Sequence, residues 1–137
     1  MRRVIEVTTH SRNELLDITP HVEEALRDME ACEGLVSIYV QGATAGIMIQ
    51  ENWDNSVQRD VVSLLQGLIP CGVWEHDAQD GNGDAHLKSG LVGPSETIPL
   101  MEGRLGLSTW QNIFLCEFDG PRARRSVVCT VIGAESG

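Results

Sequence analysis

The chain has 137 residues, of which 42% are hydrophobic, and a formal net charge of −10. This length suits a single domain over 1–137, and the apolar content is sufficient to fill one core. Twenty acidic residues against ten basic ones argue against nucleic-acid binding, which requires clustered lysine and arginine. No apolar run approaches the ~18 residues of a membrane span, so no membrane association is expected.

The predicted elements of the first half alternate between strands and helices. Residues 3–9 (RVIEVTT) and the short stretch 15–19 (LLDIT) predict strands, because β-branched and apolar residues predominate. Residues 19–32 predict a helix capped by Thr19 and ended by Gly34.

Two further strands and a second helix are predicted before the middle of the chain. Residues 34–41 (GLVSIYVQ) and 44–52 (TAGIMIQEN) predict strands joined by a short turn. Apolar residues at helical spacing predict a helix over about 55–68, with Asp54 or Asn55 as its cap.

The last third is rich in predicted strands. The segments 96–103, 104–118 and 124–133 favour strands, with 119–122 (DGPR) as a turn. The segment 86–93 fits either a short helix or a strand. Strands around two main helices indicate an α+β fold, a mixed β-sandwich with the helices on one side.

The four cysteines form no C-x-x-C pair and lie among apolar neighbours. They are therefore expected to be buried free thiols of a cytoplasmic protein: Cys32, Cys71, Cys116 and Cys129. The N-terminal arginines precede no apolar stretch, which argues against a secretory signal. The one basic run, Arg122, Arg124 and Arg125, is expected to be a solvated or ion-paired surface that binds at most a small anion.

The stretch 74–90 (WEHDAQDGNGDAHLKSG) concentrates residues that carry chemistry. It begins like a calcium loop at Asp80, but Ala85 and Leu91 occupy the positions that require glycine and glutamate. His86 replaces the third glycine of a dinucleotide-binding motif. Neither of these two sites is therefore expected.

Four interpretations of this stretch remain open from the residues alone. His76 and His86 suit zinc, although a catalytic zinc site needs a third protein ligand. They also suit acid/base catalysis beside a carboxylate such as Asp84, with Lys88 neutralising an anion. Clustered aspartates suit a magnesium ion that holds a diphosphate. The fourth interpretation is a solvated polar loop.

Two other stretches contain polar residues in unusual positions. Glu51 closes an apolar strand, where a lone carboxylate requires a partner. Trp110 and Gln111 interrupt a strand-like run; the simplest expectation is that Trp110 packs in the core and Gln111 bonds to the backbone.

Three segments, 52–60, 76–100 and 103–128, resemble the YjbQ-like family in order and spacing. The most specific parts are the H-D…N…A-H-L-K block, G-P-S, T-W-Q and E-F-D-G-P-R. The family is also described as the secondary thiamine-phosphate synthase type. The resemblance covers nearly the whole chain and implies an α+β sandwich that forms a homotrimer with pockets between subunits.

The resemblance also implies a site. Family members gather histidines in these pockets, sometimes around zinc or another divalent metal, and His76 and His86 match two of them. A weak thiamine-phosphate synthase (transferase) activity on small phosphorylated molecules is ascribed to some members. The polar positions matching the family include Glu51, Asn82, Asp84, Ser95, Trp110 and Gln111. Asp84 and Glu51 are expected to orient the histidines in catalysis. The residues expected to bind the anionic substrate are Asn82, Lys88, Ser95, Gln111 and Arg122.

The chain departs from the family pattern at one position. Relatives usually carry H-[TA]-T-A after the strand that corresponds to 34–41, and here Gly42 stands at the histidine position. Glycine supplies no ligand, acid or base. A metal site that depends on this histidine is therefore expected to be weakened.

Overall fold

A computed structural model of the chain describes residues 1–133 as eight strands, three α-helices and one 3₁₀ turn at Glu75–Ala78. The helices are α1 (Thr19–Asp28), α2 (Ser56–Leu68) and α3 (Gly83–Val92). The strands are β1 (Arg2–Val7), β2 (Glu14–Asp17), β3 (Gly34–Val40), β4 (Ala45–Glu51), β5 (Ser95–Met101), β6 (Arg104–Leu105), β7 (Gln111–Glu117) and β8 (Arg125–Ile132). The predicted α+β class is confirmed.

The strands form two sheets. The larger has the order β1-β8-β3-β5-β6 and the smaller the order β2-β7-β4, and the pairings described are antiparallel. Alternate side chains of β3 and β7 point into the space between the sheets, because successive residues of a strand face opposite sides. The core formed there includes Val36, Ile38, Ile113 and Leu115.

Two helices cover the outer face of the smaller sheet. Leu65 of α2 and Ala85 of α3 pack with Cys116, whose side chain lies on the outer face of β7, and with Phe118, the residue after this strand. Helix α1 instead adds Val22 and Leu26 to the core between the sheets. The sandwich is thus observed, but only α2 and α3 lie together on one side, whereas α1 packs into the core between the sheets. The segment 86–93, which the sequence left undecided, is largely helical.

The start of α2 agrees with the predicted cap, whereas the start of α1 differs from it. Thr19 is the first residue of α1, and its hydroxyl accepts a hydrogen bond from the Ile113 N–H at 2.8 Å. The Thr19 N–H donates to Asp17 Oδ1 at 2.9 Å. Near the start of α2, Asp54 Oδ1 accepts from the Ser56 N–H at 2.7 Å. Both helices therefore start within a residue of the predicted positions. At α1 the Asp17 carboxylate, and not the predicted Thr19 hydroxyl, accepts the hydrogen bond from the first N–H of the helix.

Two expectations about burial were wrong in part. Cys32 and Cys71 are exposed, whereas Cys116 and Cys129 are buried as predicted. Cys32 follows the end of α1 and Cys71 follows the end of α2, so neither lies in an element that faces the core. Arg125, expected at the surface, is only 5% exposed because it begins β8 with its side chain directed inward.

The register of β4 and β7 defines two ends of the sandwich. Ala45 pairs with Glu117 at one end and Glu51 pairs with Gln111 at the other. Six residues of strand separate them by about 20 Å. The polar end comprises the loops 8–13, 41–44 and 118–124 and the first turn of α3; the tryptophan end comprises residues 51–53 and 108–111. Within 1–133, no helix has the length and apolar character needed to cross a bilayer.

Candidate functional site

The polar end contains a buried ion pair on α3. Lys88 Nζ lies 2.9 Å from Asp84 Oδ2, and both side chains are about 1–2% exposed. Residues four apart lie on one face of a helix, so both point into the protein. Arg12 completes the group by donating to Asp84 Oδ1 at 2.9 Å, and Asn13 Oδ1 accepts from Lys88 at 3.3 Å.

A second buried pair lies at the end of the smaller sheet. Arg125 Nε donates to Glu117 Oε1 at 2.9 Å, and the Thr9 hydroxyl donates to the same oxygen at 2.8 Å. Burial works to raise the pKa of Glu117, but the hydrogen bonds from Arg125, the Asp119 N–H and Thr9 outweigh it. The pKa of Glu117 is therefore held below its ordinary value of 4.5.

Asp119 connects this pair to the start of α3. Its Oδ2 accepts from Asn82 Nδ2 at 2.9 Å and from Arg122 Nη2 at 3.0 Å. Asn82 Oδ1 is buried and has no hydrogen-bond partner within residues 1–133. A buried amide oxygen without a donor is costly, and this oxygen is closed off from the surface.

The two histidines of the glycine-rich stretch are in contact. The ring centroids of His76 and His86 lie 4.7 Å apart with an interplanar angle of 84°. His76 Nε2 is 3.3 Å from Asp80 Oδ2, and the His76 side chain is 42% exposed. The 3₁₀ turn and the first turn of α3 pack together here, because Asp77 Oδ1 accepts from the Gly83 N–H at 2.8 Å. Solvent therefore reaches an imidazole pair next to a carboxylate.

The residues present do not complete a zinc site. Within 1–133, no three side chains of histidine, cysteine, aspartate or glutamate are arranged to hold a metal ion. Asp77 is already engaged by the backbone N–H groups of Trp74 and Gly83, which lower its pKa. The chain on its own thus offers two imidazoles, fewer than the three protein ligands of a catalytic zinc centre.

The structure brings some predicted site residues together and separates others. Asp84 and His86 lie about 200° apart around α3, so Asp84 faces the interior while His86 faces His76. Lys88 is buried and donates to Asp84 and Asn13, so its charge is paired with Asp84 rather than presented at the surface. Among the predicted site residues of the polar end, Arg122, which pairs with Asp119, and Ser95, at the start of β5, are exposed at the surface.

Glu51 and Gln111 lie at the tryptophan end, about 20 Å from the polar end of the same chain. The Gln111 side chain accepts from the Ser108 N–H at 2.9 Å, in keeping with the expected bond to backbone. The expectation for Trp110 was wrong: this residue is 53% exposed, because it lies in the turn that precedes β7.

Sequence reasoning did not single out Arg12, Asn13, Glu117 or Asp119. A usable indication was present for Glu117, since a carboxylate inside the apolar run FLCEF requires a cationic partner. Arg12 and Asn13 offered no comparable indication, because they belong to a polar loop whose contacts come from distant parts of the chain. Their roles depend on tertiary structure alone.

Gly42 lies against the buried arginine. A Cβ atom added at this position would lie 2.7 Å from Arg125 Nη1. The glycine at the usual histidine position therefore leaves room for the guanidinium that pairs with Glu117. A side chain here must displace the end of Arg125.

The comparisons with known proteins agree with this fold. Residues 3–134 match the family model described as UPF0047 protein YjbQ-like. The chain is 46% identical over 128 residues to UPF0047 protein MJ1081 of Methanocaldococcus jannaschii, covering 93% of this chain and 91% of that protein. It is 41% identical over 127 residues to UPF0047 protein YugU of Bacillus subtilis, covering 90% and 94%.

Two crystal structures are also similar. One is a YbjQ-like protein of unknown function from Sulfolobus solfataricus, with a TM-score of 0.93, 33% identity and coverage of 98% and 97% of the two chains. The other is a hypothetical protein from Aeropyrum pernix, with a TM-score of 0.93, 36% identity and coverage of 98% and 99%. These descriptions name no reaction or ligand. By sequence and by fold, the chain belongs to the YjbQ-like UPF0047 family.

Proposed function

We propose that this protein is a small cytoplasmic homotrimeric enzyme that acts on an anionic or phosphorylated small molecule at the polar end. The imidazole pair of His76 and His86, with ring centroids 4.7 Å apart, is the observation that carries the proposal. One ring can donate a proton while the other accepts one, and the Asp80 carboxylate orients His76.

The surroundings of the pair suit an anion. Arg122 and Arg12 each keep more than 40% of the side chain exposed at this end. Asp84 and Lys88 act from inside, since their ion pair fixes the first turns of α3 on which His86 is carried.

The reaction we propose to test is that of a thiamine-phosphate synthase, which joins a pyrimidine diphosphate to a thiazole phosphate. The purified chain is expected to form the joined product slowly and to release diphosphate. The double variant H76A/H86A is expected to lose this activity, while H21A, which removes an exposed histidine of α1, retains it. Equal rates for H76A/H86A and the unaltered chain would exclude the imidazole pair from catalysis.

A second candidate is a non-catalytic trimer that binds a metal or a small anion through a degenerate site. Two observations favour this candidate. Glycine occupies the usual histidine position at 42, and within residues 1–133 no three metal-binding side chains are grouped so as to hold an ion. In that case a histidine or carboxylate of a neighbouring subunit completes the ligand set. Chelator treatment followed by size measurement tests this candidate: dissociation of the trimer without any associated turnover supports it, and an unchanged trimer opposes it.

A further inference from the structure

Two exposed indole rings are in contact at the tryptophan end. Trp53 is 69% exposed and Trp110 is 53% exposed, with ring centroids 4.9 Å apart and ring planes at 77°. Two nearly perpendicular rings enclose a corner in which one molecule contacts both faces. Leaving such large apolar groups in water is unfavourable, so their exposure calls for a functional explanation.

The same corner contains a carboxylate. Glu51, Trp53 and Trp110 line an open surface depression of about 560 Å³. The backbone groups of Glu51 are hydrogen-bonded to Gln50 and Gln58, but within residues 1–133 its carboxylate makes no ion pair or hydrogen bond. A half-buried carboxylate without a partner favours a cation brought by a ligand.

The wall that carries Trp110 is held by the backbone. Glu51 pairs with Gln111 in the antiparallel ladder, which sets the two loops side by side. The Gln111 N–H donates to Ser108 O at 3.1 Å, and the Ser108 N–H donates to Gln111 Oε1 at 2.9 Å. The turn is therefore closed on both sides of Trp110.

The wall that carries Trp53 is held equally well. Asn52 Nδ2 donates to Asp17 Oδ2 at 2.6 Å, and Asp54 Oδ1 accepts from the Ser56 N–H at 2.7 Å. Both neighbours of Trp53 are thus tied to other elements. A site whose walls are already in position loses less conformational entropy when a ligand binds.

We propose that Glu51, Trp53 and Trp110 form a binding site for a small organic cation of the quaternary ammonium class. The faces of aromatic rings carry negative electrostatic potential, so a cation in the corner is attracted to both indoles. The Glu51 carboxylate adds a full negative charge, and the net charge of −10 favours the approach of cations. Within one chain this site is separated from the polar end by about 20 Å of strand, so the proposal goes beyond the function proposed there.

The test uses tryptophan fluorescence. The chain has three tryptophans, and the substitution Trp74→Phe leaves emission from Trp53 and Trp110 alone. Choline replaces sodium in the buffer at constant ionic strength, and 3,3-dimethylbutan-1-ol serves as its uncharged analogue of the same shape. We expect saturable quenching by choline in the millimolar range and a half-saturation concentration at least about tenfold higher for the alcohol.

Matched variants in the W74F background separate the contributions. E51Q and W53A are each expected to raise the choline half-saturation concentration about fivefold or more. E24Q removes one charge from exposed α1 and is expected to leave it within about twofold. Circular dichroism checks that each variant folds, and if W74F does not fold, the same titrations are made in the unaltered chain.

Three results would overturn the proposal. Equal responses to choline and the alcohol mean that the corner is merely apolar. Equal effects of E51Q and E24Q mean that only net charge matters. Emission that changes with protein concentration but not with choline means that a second copy of the chain covers the two indoles.

Discussion

Lys88 Nζ and Asp84 Oδ2 lie 2.9 Å apart, one turn from each other on α3, in a part of the protein that water hardly reaches. Two charges in this environment are tolerated because each neutralises the other, and because Arg12 and Asn13 supply further hydrogen bonds. The pair fixes the helix that carries His86, so structural and functional roles are joined in α3.

Breaking this pair should destabilise the fold strongly. D84N leaves the Lys88 ammonium buried without a counter-charge, and we expect the free energy of unfolding to fall by about 3–5 kcal/mol. Urea denaturation measures it. The matched control is R122A, which breaks the partly exposed pair with Asp119 and should cost no more than about 1 kcal/mol. Similar losses for D84N and R122A would contradict the buried role.

Glu117 should contribute to the pH dependence of stability. Its pKa in the folded protein lies below 4.5, so the unfolded chain binds the proton more readily. The stabilisation is complete above pH 4.5 and is lost as the pH falls through the folded pKa. In denaturant titrations E117Q is expected to be less stable than the unaltered chain at pH 7 and to lose less stability between pH 5 and 3. The control E24Q should lose stability over this pH range as the unaltered chain does.

The thiols should divide into two classes. Cys32 and Cys71 are exposed, while burial raises the pKa of Cys116 to about 12 and that of Cys129 to about 11. Because the thiolate is the reactive form, a disulfide reagent should titrate two thiols in the native protein and all four in urea. The double variant C32S/C71S is expected to show no rapid reaction, and a rapid third thiol would contradict the described core.

Gly42→His should have two opposed effects. An added imidazole supplies the ligand that relatives usually carry, so zinc retained after dialysis is expected to rise. The same side chain meets Arg125, since even a Cβ would lie 2.7 Å from Nη1, and the free energy of unfolding should fall by about 1–3 kcal/mol. Gly42→Ala is the control, with the steric cost but no ligand. Equal zinc content in the two variants would contradict the three-histidine account.

Much of the architecture was predictable because local pattern and global fold agree. The strands predicted at 34–41 and 44–52 agree with β3 and β4 to within a residue at each end. The helical spacing of apolar residues located α2. Helix α3 was harder, because Asp84 and Lys88 are polar residues on a buried face and therefore break the apolar stripe that reveals a helix.

The site was predictable only as a set of residue types. His76 and His86 were identified from the density of chemistry-bearing residues in one stretch and Asn82 from the family resemblance, and the structure brings the two rings together. Glu51 and Gln111 were grouped with them, yet strand register puts these two at the opposite end of the sandwich. No local sequence pattern shows the distance between these residues and the histidines, because it depends on which strands pair and in which register.

The sequence by itself determined the fold class, the main strands and helices, and the family, because hydrophobic periodicity and unusual motifs are local properties. Only the tertiary structure decided which charges are buried, which histidines touch and which tryptophans stay exposed. Those outcomes depend on contacts such as that of Arg12 with Asp84, 72 positions apart, and packing alone brings such residues within bonding distance.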